Sequence, residues 1–291
     1  MNIIITIPAF NEEETIGQTI TDINNVMNST EYEYKILVLD DGSKDKTSEV
    51  AEQSGAEVYS NKRNVGLAET FKNEMKKCIK ENPDIIIHTD ADGQYPAKYI
   101  PLLIKKLEEG YNLVLGSRFE KGKYSESFMK KLGNVVFAKV FSSLLKTKIT
   151  DTTTGFRAFT PEVAKLPLIN DFTYTQEQLI RAGKAKMKIG EIPITTNKTR
   201  KSRLFKNSFD YAIKAWINIL RIYRDFEPLK FFGSIGLSFL VLGMILGMWI
   251  IYTWITTGGV GALPRVILSM LLVIAGIQIG LFGFLADMNK K

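Results

Sequence analysis

Asp84-Ile85-Ile86-Ile87-His88-Thr89-Asp90-Ala91-Asp92-Gly93-Gln94 is the stretch from which the rest of the chain is read. Its apolar run is short and bounded, as in a buried strand. A strand that stops there delivers Asp90, Asp92 and the Gln94 amide at its carboxyl end, where open α/β sheets bind ligands. Two hard oxygen donors so close suit Mg2+ or Mn2+ already carrying phosphate oxygens. Asp90, Asp92 and Gln94 are therefore candidate ligands for a metal–diphosphate complex. Asp-rich turns are also common on solvated surfaces, and a bare D-x-D occurs often by chance. The flanking sequence decides between the two.

Upstream, Asn2 to Pro8 is a β-rich run stopped by proline, and Asn11-Glu12-Glu13-Glu14 reads as a helix start with acids in its first turn. Tyr34 to Leu39 repeats the strand, Asp40-Asp41-Gly42-Ser43 forms its turn, and Lys46 to Ser54 reads as a helix. Glu57 to Ser60 is a short strand, and Asn64-Val65-Gly66-Leu67-Ala68 opens a helix to about Asn82. Downstream, a helix from Ala97 to Glu109 leads to a strand, Asn112 to Leu115, that ends in Gly116-Ser117-Arg118. Strands alternating with helices at this spacing imply an α/β fold with a mostly parallel sheet covered on both faces. Asn11, Asp40, Asp90 and Arg118 then fall at or just past strand ends on one edge. There Asp40 or Glu12 suits a ribose hydroxyl or a base N–H, and Asp90, Asp92 and Gln94 suit a divalent ion. No G-x-G-x-x-G follows the first strand and no G-x-x-x-x-G-K-[ST] occurs, so NAD enzymes and P-loop kinases are excluded.

The chain has 291 residues and a formal charge of +7. Its apolar residues concentrate toward the end, so the length reads as one soluble domain plus a membrane part. The positive charge fits nucleic acid, an anionic membrane surface or a phosphorylated substrate. It gathers beside hydrophobic spans rather than on an aromatic face, which argues against nucleic acid. Cys78, the single cysteine, excludes an internal disulfide and a cysteine-based metal site, and reads as ordinary helix packing. Met1 to Pro8 is strand-like and Asn11 to Glu14 is acidic, so no signal peptide is read and the first domain is expected in the cytoplasm.

Five further segments carry a resemblance when taken in order. They are Ile7-Pro8-Ala9-Phe10-Asn11-Glu12-Glu13, Val38-Leu39-Asp40-Asp41-Gly42-Ser43, Asn64-Val65-Gly66-Leu67-Ala68, Asp90 to Pro96, and Gly116-Ser117-Arg118. Together they resemble the successive motifs of the family 2 glycosyltransferases with a GT-A, Rossmann-like fold. Asp151-Thr152-Thr153-Thr154-Gly155-Phe156-Arg157-Ala158-Phe159 resembles their acceptor-side motif, and the pattern is most similar to polyprenyl-phosphate glycosyltransferases of the dolichyl-phosphate mannose synthase type. The resemblance runs from about Ile3 to Pro228. It implies nucleotide binding by Pro8, Phe10, Glu12, Asp40, Asp90 and Ala91, and metal or diphosphate binding by Asp90, Asp92 and Gln94, with Mg2+ or Mn2+ as cofactor. It implies catalytic roles for Asp92, Arg118 and Asp151. Lys130 and Asn134 stand where the family carries an arginine and a serine near the lipid phosphate, and lysine does not reproduce the arginine fork.

Lys121 to Lys148 is basic, with Phe128, Met129, Leu132, Val136, Phe137, Val140, Phe141, Leu144 and Leu145 at helical spacing. It reads either as a helix packed on the domain or as one lying at a membrane surface. Tyr174 to Ile180 starts a helix, and Lys188 to Ile194 is the last strand. Glu177 faces the transfer cleft or is an exposed helix-start acid. Thr199-Arg200-Lys201-Ser202-Arg203-Leu204-Phe205-Lys206 is a solvated charge run or, beside a membrane, a phosphate clamp through Arg200 and Arg203. It resembles the family loop that closes over the phosphates, with Arg-Lys-Ser-Arg in place of Gly-Glu-Ser-Lys.

Phe209 to Phe226 has the spacing of an interfacial helix. Phe231 to Ile255 and Val266 to Ala286 are each long enough to span a bilayer, and Gly258 to Pro264 turns between them. The expected organisation is a catalytic domain over 1–202, an interfacial segment over 203–228 and a two-helix membrane hairpin within 229–291. Lys206, Lys214, Arg221, Arg224 and Lys230 precede the hairpin, and Lys290 and Lys291 follow it, against only Arg265 in the connection. Positive-inside counting places both ends, and the catalytic domain, on the cytoplasmic side of a multi-pass cell-membrane protein. Gly236, Gly243 and Gly247 allow close helix contact, a hint of a homo-oligomer.

The implied reaction is metal-dependent inverting transfer of one sugar from a nucleotide diphosphate sugar to dolichyl or another polyprenyl phosphate, giving a lipid-linked sugar. A phosphate acceptor is already anionic and needs no strong general base, so Asp151 orients the acceptor or acts as a base, with orientation ranked first. Arg118 and Arg200 hold the lipid phosphate. The segment Thr173-Tyr174-Thr175-Gln176-Glu177 and the 199–204 loop resemble archaeal members that use UDP-sugars for protein N-glycosylation, which favours UDP-glucose or UDP-N-acetylglucosamine over GDP-mannose. His88, the only histidine, is a satisfied core imidazole or a ligand, the first ranked higher. Two rival readings are a processive polysaccharide synthase and a silent membrane scaffold that keeps the fold. The first lacks its Gln-x-x-Arg-Trp motif and extra spans; intact Asp90, Asp92, Gln94 and Arg118 argue against the second.

Overall fold

The computed structural model describes residues 1–119, 138–139, 141–142, 145, 147–168, 174–197, 217, 220–221, 223–259 and 263–289. The chain divides into two compact units, Met1–Leu204 and Phe205–Lys291.

The first unit is built on a seven-stranded sheet. Its strands are β1 (Asn2–Ala9), β2 (Glu33–Asp40), β3 (Glu57–Ser60), β4 (Ile85–His88), β5 (Leu113–Ser117), β6 (Arg157–Phe159) and β7 (Ile189–Pro193). They lie in the order β3-β2-β1-β4-β6-β5-β7. All neighbours pair in parallel except β6, which runs antiparallel between β4 and β5. The mostly parallel α/β arrangement is as expected from the alternating elements. The three-residue β6 is the exception, with no period long enough to read in sequence.

The isoleucine-rich strands are apolar on both faces because helices cover both. Ile3, Ile5, Ile7, Ile85 and Ile87 share one core with Ile16, Ile20 and Ile23 of α1 (Ile16–Met27) and with Leu103, Ile104 and Leu107 of α4 (Ile100–Glu108). Each such side chain contributes about 1.5–3 kcal/mol when fully buried. Side chains alternate along a strand, so Ile4, Thr6, Ile86 and His88 turn the other way. That face meets Phe71 of α3 (Leu67–Lys80), whose ring sits edge-on to His88 at 4.8 Å between centroids. The unit also holds helices α2 (Thr47–Gln53), α5 (Pro161–Ala164) and α6 (Tyr174–Lys184).

Several boundaries move. The expected helix start at Asn11 is instead a turn: Asn11 takes φ +54°, and the Glu12 carbonyl accepts from the amides of Thr15 and Ile16, where α1 begins. The helix expected from Ala97 opens as a 3-10 turn, Ala97–Tyr99, because Pro101 fits the first turn of α4. The helix expected from Asn64 begins at Leu67, after Gly66 at φ +91°.

In the second unit, α7 (Pro228–Thr257) and α8 (Leu263–Met288) pack as an antiparallel hairpin. Thirty residues at 1.5 Å each give α7 about 45 Å, more than the bilayer's apolar core of about 30 Å. Both helices are long and apolar enough to cross a membrane. The seam is made of glycine: a Cβ on Gly236 would lie 2.6 Å from the Gly276 carbonyl oxygen, and one on Gly276 would lie 2.7 Å from that of Gly236. The Ser269 hydroxyl donates to the Gly243 carbonyl at 2.8 Å. Gly236 and Gly243, which hinted at a homo-oligomer, are thus used inside the hairpin.

Candidate active site

Parallel β1, β2, β4 and β5 bring their carboxyl ends to one edge, so Asn11, Asp40, Asp90 and Arg118 converge there as the spacing predicts. Antiparallel β6 adds its amino end to the same edge, which places Asp151 to Gly155 between the β4 and β5 exits. The exit of β7 brings Thr195 and Asn197.

On the β1–β2 side the loops are laced together by side chains. Asn11 accepts from the Lys44 amide at 2.9 Å and its own amide donates to Ser43 Oγ at 2.8 Å. Asp40, buried, accepts from the Ser43 amide at 3.0 Å, the Ser43 hydroxyl, and the Ser48 hydroxyl at 2.6 Å. Asp41 accepts from Asn61 Nδ2 and the amides of Val65 and Gly66 at 2.8–2.9 Å, tying this edge to the start of α3. Sequence assigns Asp41 no role of its own beyond the turn, because nothing there separates it from its neighbour. Glu12 is buried, with Thr15 Oγ1 3.2 Å from Oε2, whereas Phe10 is exposed. Pro8 lies within β1 opposite Leu39.

The Asp90–Gln94 loop is a tight turn around Gly93, φ +67°, with the Gln94 amide donating to Asp92 Oδ1 at 3.0 Å. Thr19 Oγ1 donates to the carbonyl of buried Ala91 at 3.1 Å. Asn197 holds the loop's far side, its amide donating to the Gln94 carbonyl and its Nδ2 to the Gly93 carbonyl, both at 3.0 Å. Gly155 lies against Asp90, since a Cβ there would be 2.8 Å from Oδ1 and 3.1 Å from Oδ2. Burial pushes the Asp90 carboxyl above the usual carboxylate range; His88, Arg118 and Arg157 pull it back while the Asp92 charge adds to the rise. Among the described residues no three of His, Cys, Asp or Glu gather as a metal cluster. Two carboxylates and an amide suit a cation that takes its remaining ligands from phosphate and water.

Arg118 and Asp151 form the other half. Arg118 Nε donates to Oδ2 at 2.7 Å and Nη2 donates to Oδ1 at 2.9 Å, with Nη2 also 2.8 Å from Thr153 Oγ1. Asp151 is fully buried. Such a bidentate fork fixes orientation as well as charge.

Beneath the edge lies a buried polar layer. His88 is fully buried, with Nδ1 3.2 Å from both Thr6 Oγ1 and Glu74 Oε2, and Nε2 3.4 Å from the Tyr174 hydroxyl. It is a core imidazole. Burial raises the Glu74 pKa, partly offset by its contact with His88. Glu177 is buried rather than exposed, paired to Arg181 Nη2 at 2.7 Å. Arg157, fully buried, donates to the Thr154 and Thr175 carbonyls and to Gln178 Oε1.

Lys130, Asn134, Arg200 and Arg203 lie outside the described residues, as do the 199–206 loop and most of 121–148 and 209–226. Phe141, which is described, is fully buried.

Residues 4–166 match the model of glycosyl transferase family 2. The chain belongs to this family. It is 31% identical over 197 residues to a dolichyl-phosphate hexose transferase of Haloferax volcanii, covering 65% of this chain and 80% of that protein. It is 30% identical over 244 residues to a UDP-N-acetylglucosamine–dolichyl-phosphate N-acetylglucosaminyltransferase of Methanococcus voltae, covering 76% and 95%. Among solved structures, Mycobacterium tuberculosis glucosyl-3-phosphoglycerate synthase, in complex with Mn2+, UDP and phosphoglyceric acid, superposes with a TM-score of 0.58 at 20% identity. That match covers 75% of this chain and 78% of the other, and shows a shared fold. This family 2 glycosyltransferase therefore places its D-x-D loop and its Arg118–Asp151 fork on one edge of a GT-A sheet.

Proposed function

We propose that this glycosyltransferase moves one sugar, with inversion, from a nucleoside diphosphate sugar to a polyprenyl monophosphate of the dolichyl class, producing a lipid-linked sugar for glycosylation. The observation that carries the reading is the presence in one chain of the GT-A edge and of an apolar hairpin long enough to cross a bilayer. A lipid acceptor gives the hairpin a purpose, and relatives named as dolichyl-phosphate transferases support that acceptor.

In this reading the nucleotide lies over Pro8, Phe10, Glu12 and Asp40, reaching Asp90 and Ala91. Its diphosphate points to Asp90, Asp92 and Gln94, which would hold Mg2+ or Mn2+; the bound cation supplies positive charge to the departing diphosphate. Arg118, oriented by Asp151, meets the acceptor phosphate, joined by Lys130, Asn134, Arg200 and Arg203 from the flanking segments. The phosphate oxygen attacks the anomeric carbon from the face opposite the nucleotide. The new carbon–oxygen bond forms as the bond to the diphosphate breaks, and the nucleoside diphosphate leaves with that electron pair. No proton need be removed from an ionised phosphate, so positioning and charge carry the rate. Asp151 is then an orienting group, its carboxylate already engaged by Arg118.

The domain reading is 1–202 catalytic, 203–228 interfacial and 229–291 membrane-embedded, with the catalytic domain cytoplasmic by the positive-inside count. The donor is a UDP-sugar rather than GDP-mannose, a choice supported by the N-acetylglucosaminyltransferase relative. Competition of UDP and GDP against transfer from a panel of labelled nucleotide sugars tests it: inhibition by UDP and label from one UDP-sugar are expected, and inhibition by GDP alone would overturn it.

A further inference from the structure

Glu191 on β7 is two steps from the edge, and nothing in its sequence setting marks it. Its carboxylate is the acceptor for a whole turn. The Thr150 amide lies 2.9 Å from both oxygens, Thr150 Oγ1 donates to Oε2 at 2.8 Å, and the Asp151 amide donates to Oε1 at 3.0 Å. The register Leu115↔Glu191 puts it beside the strand that leads into Arg118. Thr150 Oγ1 also meets Ser117 Oγ at 2.6 Å. One carboxylate therefore fixes the backbone of Thr150 and Asp151 against the end of β5, immediately before Asp151 grips the Arg118 guanidinium and accepts from the Arg118 amide at 3.2 Å.

We propose that Glu191 is a positioning residue for acceptor-phosphate binding: it sets Asp151, and through Asp151 the direction of Arg118. This rests on the proposed role of Arg118 toward the lipid phosphate. The geometry favours positioning over simple packing because every described partner of the carboxylate belongs to the turn that carries Asp151. A glutamine replaces it only in part. Whichever oxygen became the amide NH2 would face the Thr150 amide, donor against donor. Thr150→Val removes the hydroxyl arm, together with its contact to Ser117 Oγ, and leaves both backbone amides on the carboxylate.

The test uses the full-length protein in detergent with dolichyl phosphate and the preferred nucleotide sugar. Glu191→Gln is expected to raise the KM for dolichyl phosphate about tenfold, the scale of a lost charge-assisted hydrogen bond, while the KM for the nucleotide sugar stays within about twofold. Thr150→Val moves the same constant in the same direction by about threefold, and carries the test if Glu191→Gln does not fold. Arg118→Ala is measured alongside. If Arg118→Ala leaves the acceptor KM unchanged, the reading of Arg118 fails and the proposal falls with it. If Arg118→Ala raises it but Glu191→Gln and Thr150→Val do not, or if they raise both KM values together as thermal stability falls, Glu191 is structural and the proposal alone is overturned.

Discussion

Arg118 and Asp151, thirty-three residues apart, meet as a two-pronged ion pair of 2.7 and 2.9 Å, with the carboxylate fully buried. Removing one partner strands the other in a poorly hydrated place. Asp151→Ala is expected to cost about 3 kcal/mol of stability, the lower end for breaking a buried pair, and to lower transfer at least tenfold. Chemical denaturation with an activity assay checks both; unchanged stability with lost activity would instead mark Asp151 as a group that acts on substrate alone.

Gly155 leaves room for the Asp90 carboxylate. Its backbone is not in the left-handed region, so an alanine there adds contact rather than strain, at 2.8 Å from Oδ1. Gly155→Ala should displace Asp90 and reduce kcat/KM by about 100-fold, the scale of an ångström's misplacement. It should also raise the divalent-cation concentration needed for half-maximal rate. A variant with normal kcat/KM and normal cation response would show that Asp90 need not sit where it does.

Glu74 gives a pH signature of stability. Its folded-state pKa is raised by burial, with His88 opposing. A raised carboxyl binds its proton more tightly folded than unfolded, so wild-type stability falls as pH rises from the free-glutamate value of about 4.3 toward the folded-state value. Glu74→Gln lacks that slope. Unfolding curves from pH 4 upward, in ~1-unit steps, should show the variant gaining on wild type as pH rises; parallel curves would place the ionisation elsewhere.

In the hairpin, the same substitution has opposite expectations at two glycines. A Cβ on Gly276 would meet the Gly236 carbonyl and the Leu240 amide at 2.7 Å, whereas one on Gly280 meets nothing within 4 Å among the described residues. Gly276→Ala should destabilise the hairpin by about 1–3 kcal/mol through overpacking, and Gly280→Ala should not. Thermal inactivation in detergent separates them, and equal behaviour would mean that the seam is not set by glycine.

The alternation of strand and helix was legible because strands covered on both faces write themselves as isoleucine runs, as at Ile3 to Ile7 and Ile85 to Ile87. The convergence of Asn11, Asp40, Asp90 and Arg118 followed from that alternation alone. The acceptor-side segment was legible only as a motif. What brings Asp151 to Arg118 is antiparallel β6, three residues whose direction no local pattern records. The roles of Glu191, Asn197 and, within that motif, Gly155 were hidden for the same reason: each acts through a partner at least forty residues away, and an acid, amide or glycine in sequence reads as surface, turn or spacer. His88 was readable as a core imidazole, but its pairing with Glu74 joins a strand to a helix across the sheet face and needs the fold.

A lipid phosphate as the sugar acceptor can be tested directly. The direct measurement incubates the full-length protein with labelled UDP-sugar, Mg2+ or Mn2+, and liposomes with or without dolichyl phosphate, beside an Asp92→Ala variant. Label is expected in the organic phase only when dolichyl phosphate is present, released by mild acid as free sugar, and absent with Asp92→Ala. Label transferred equally without dolichyl phosphate, or confined to a water-soluble acceptor, would contradict it.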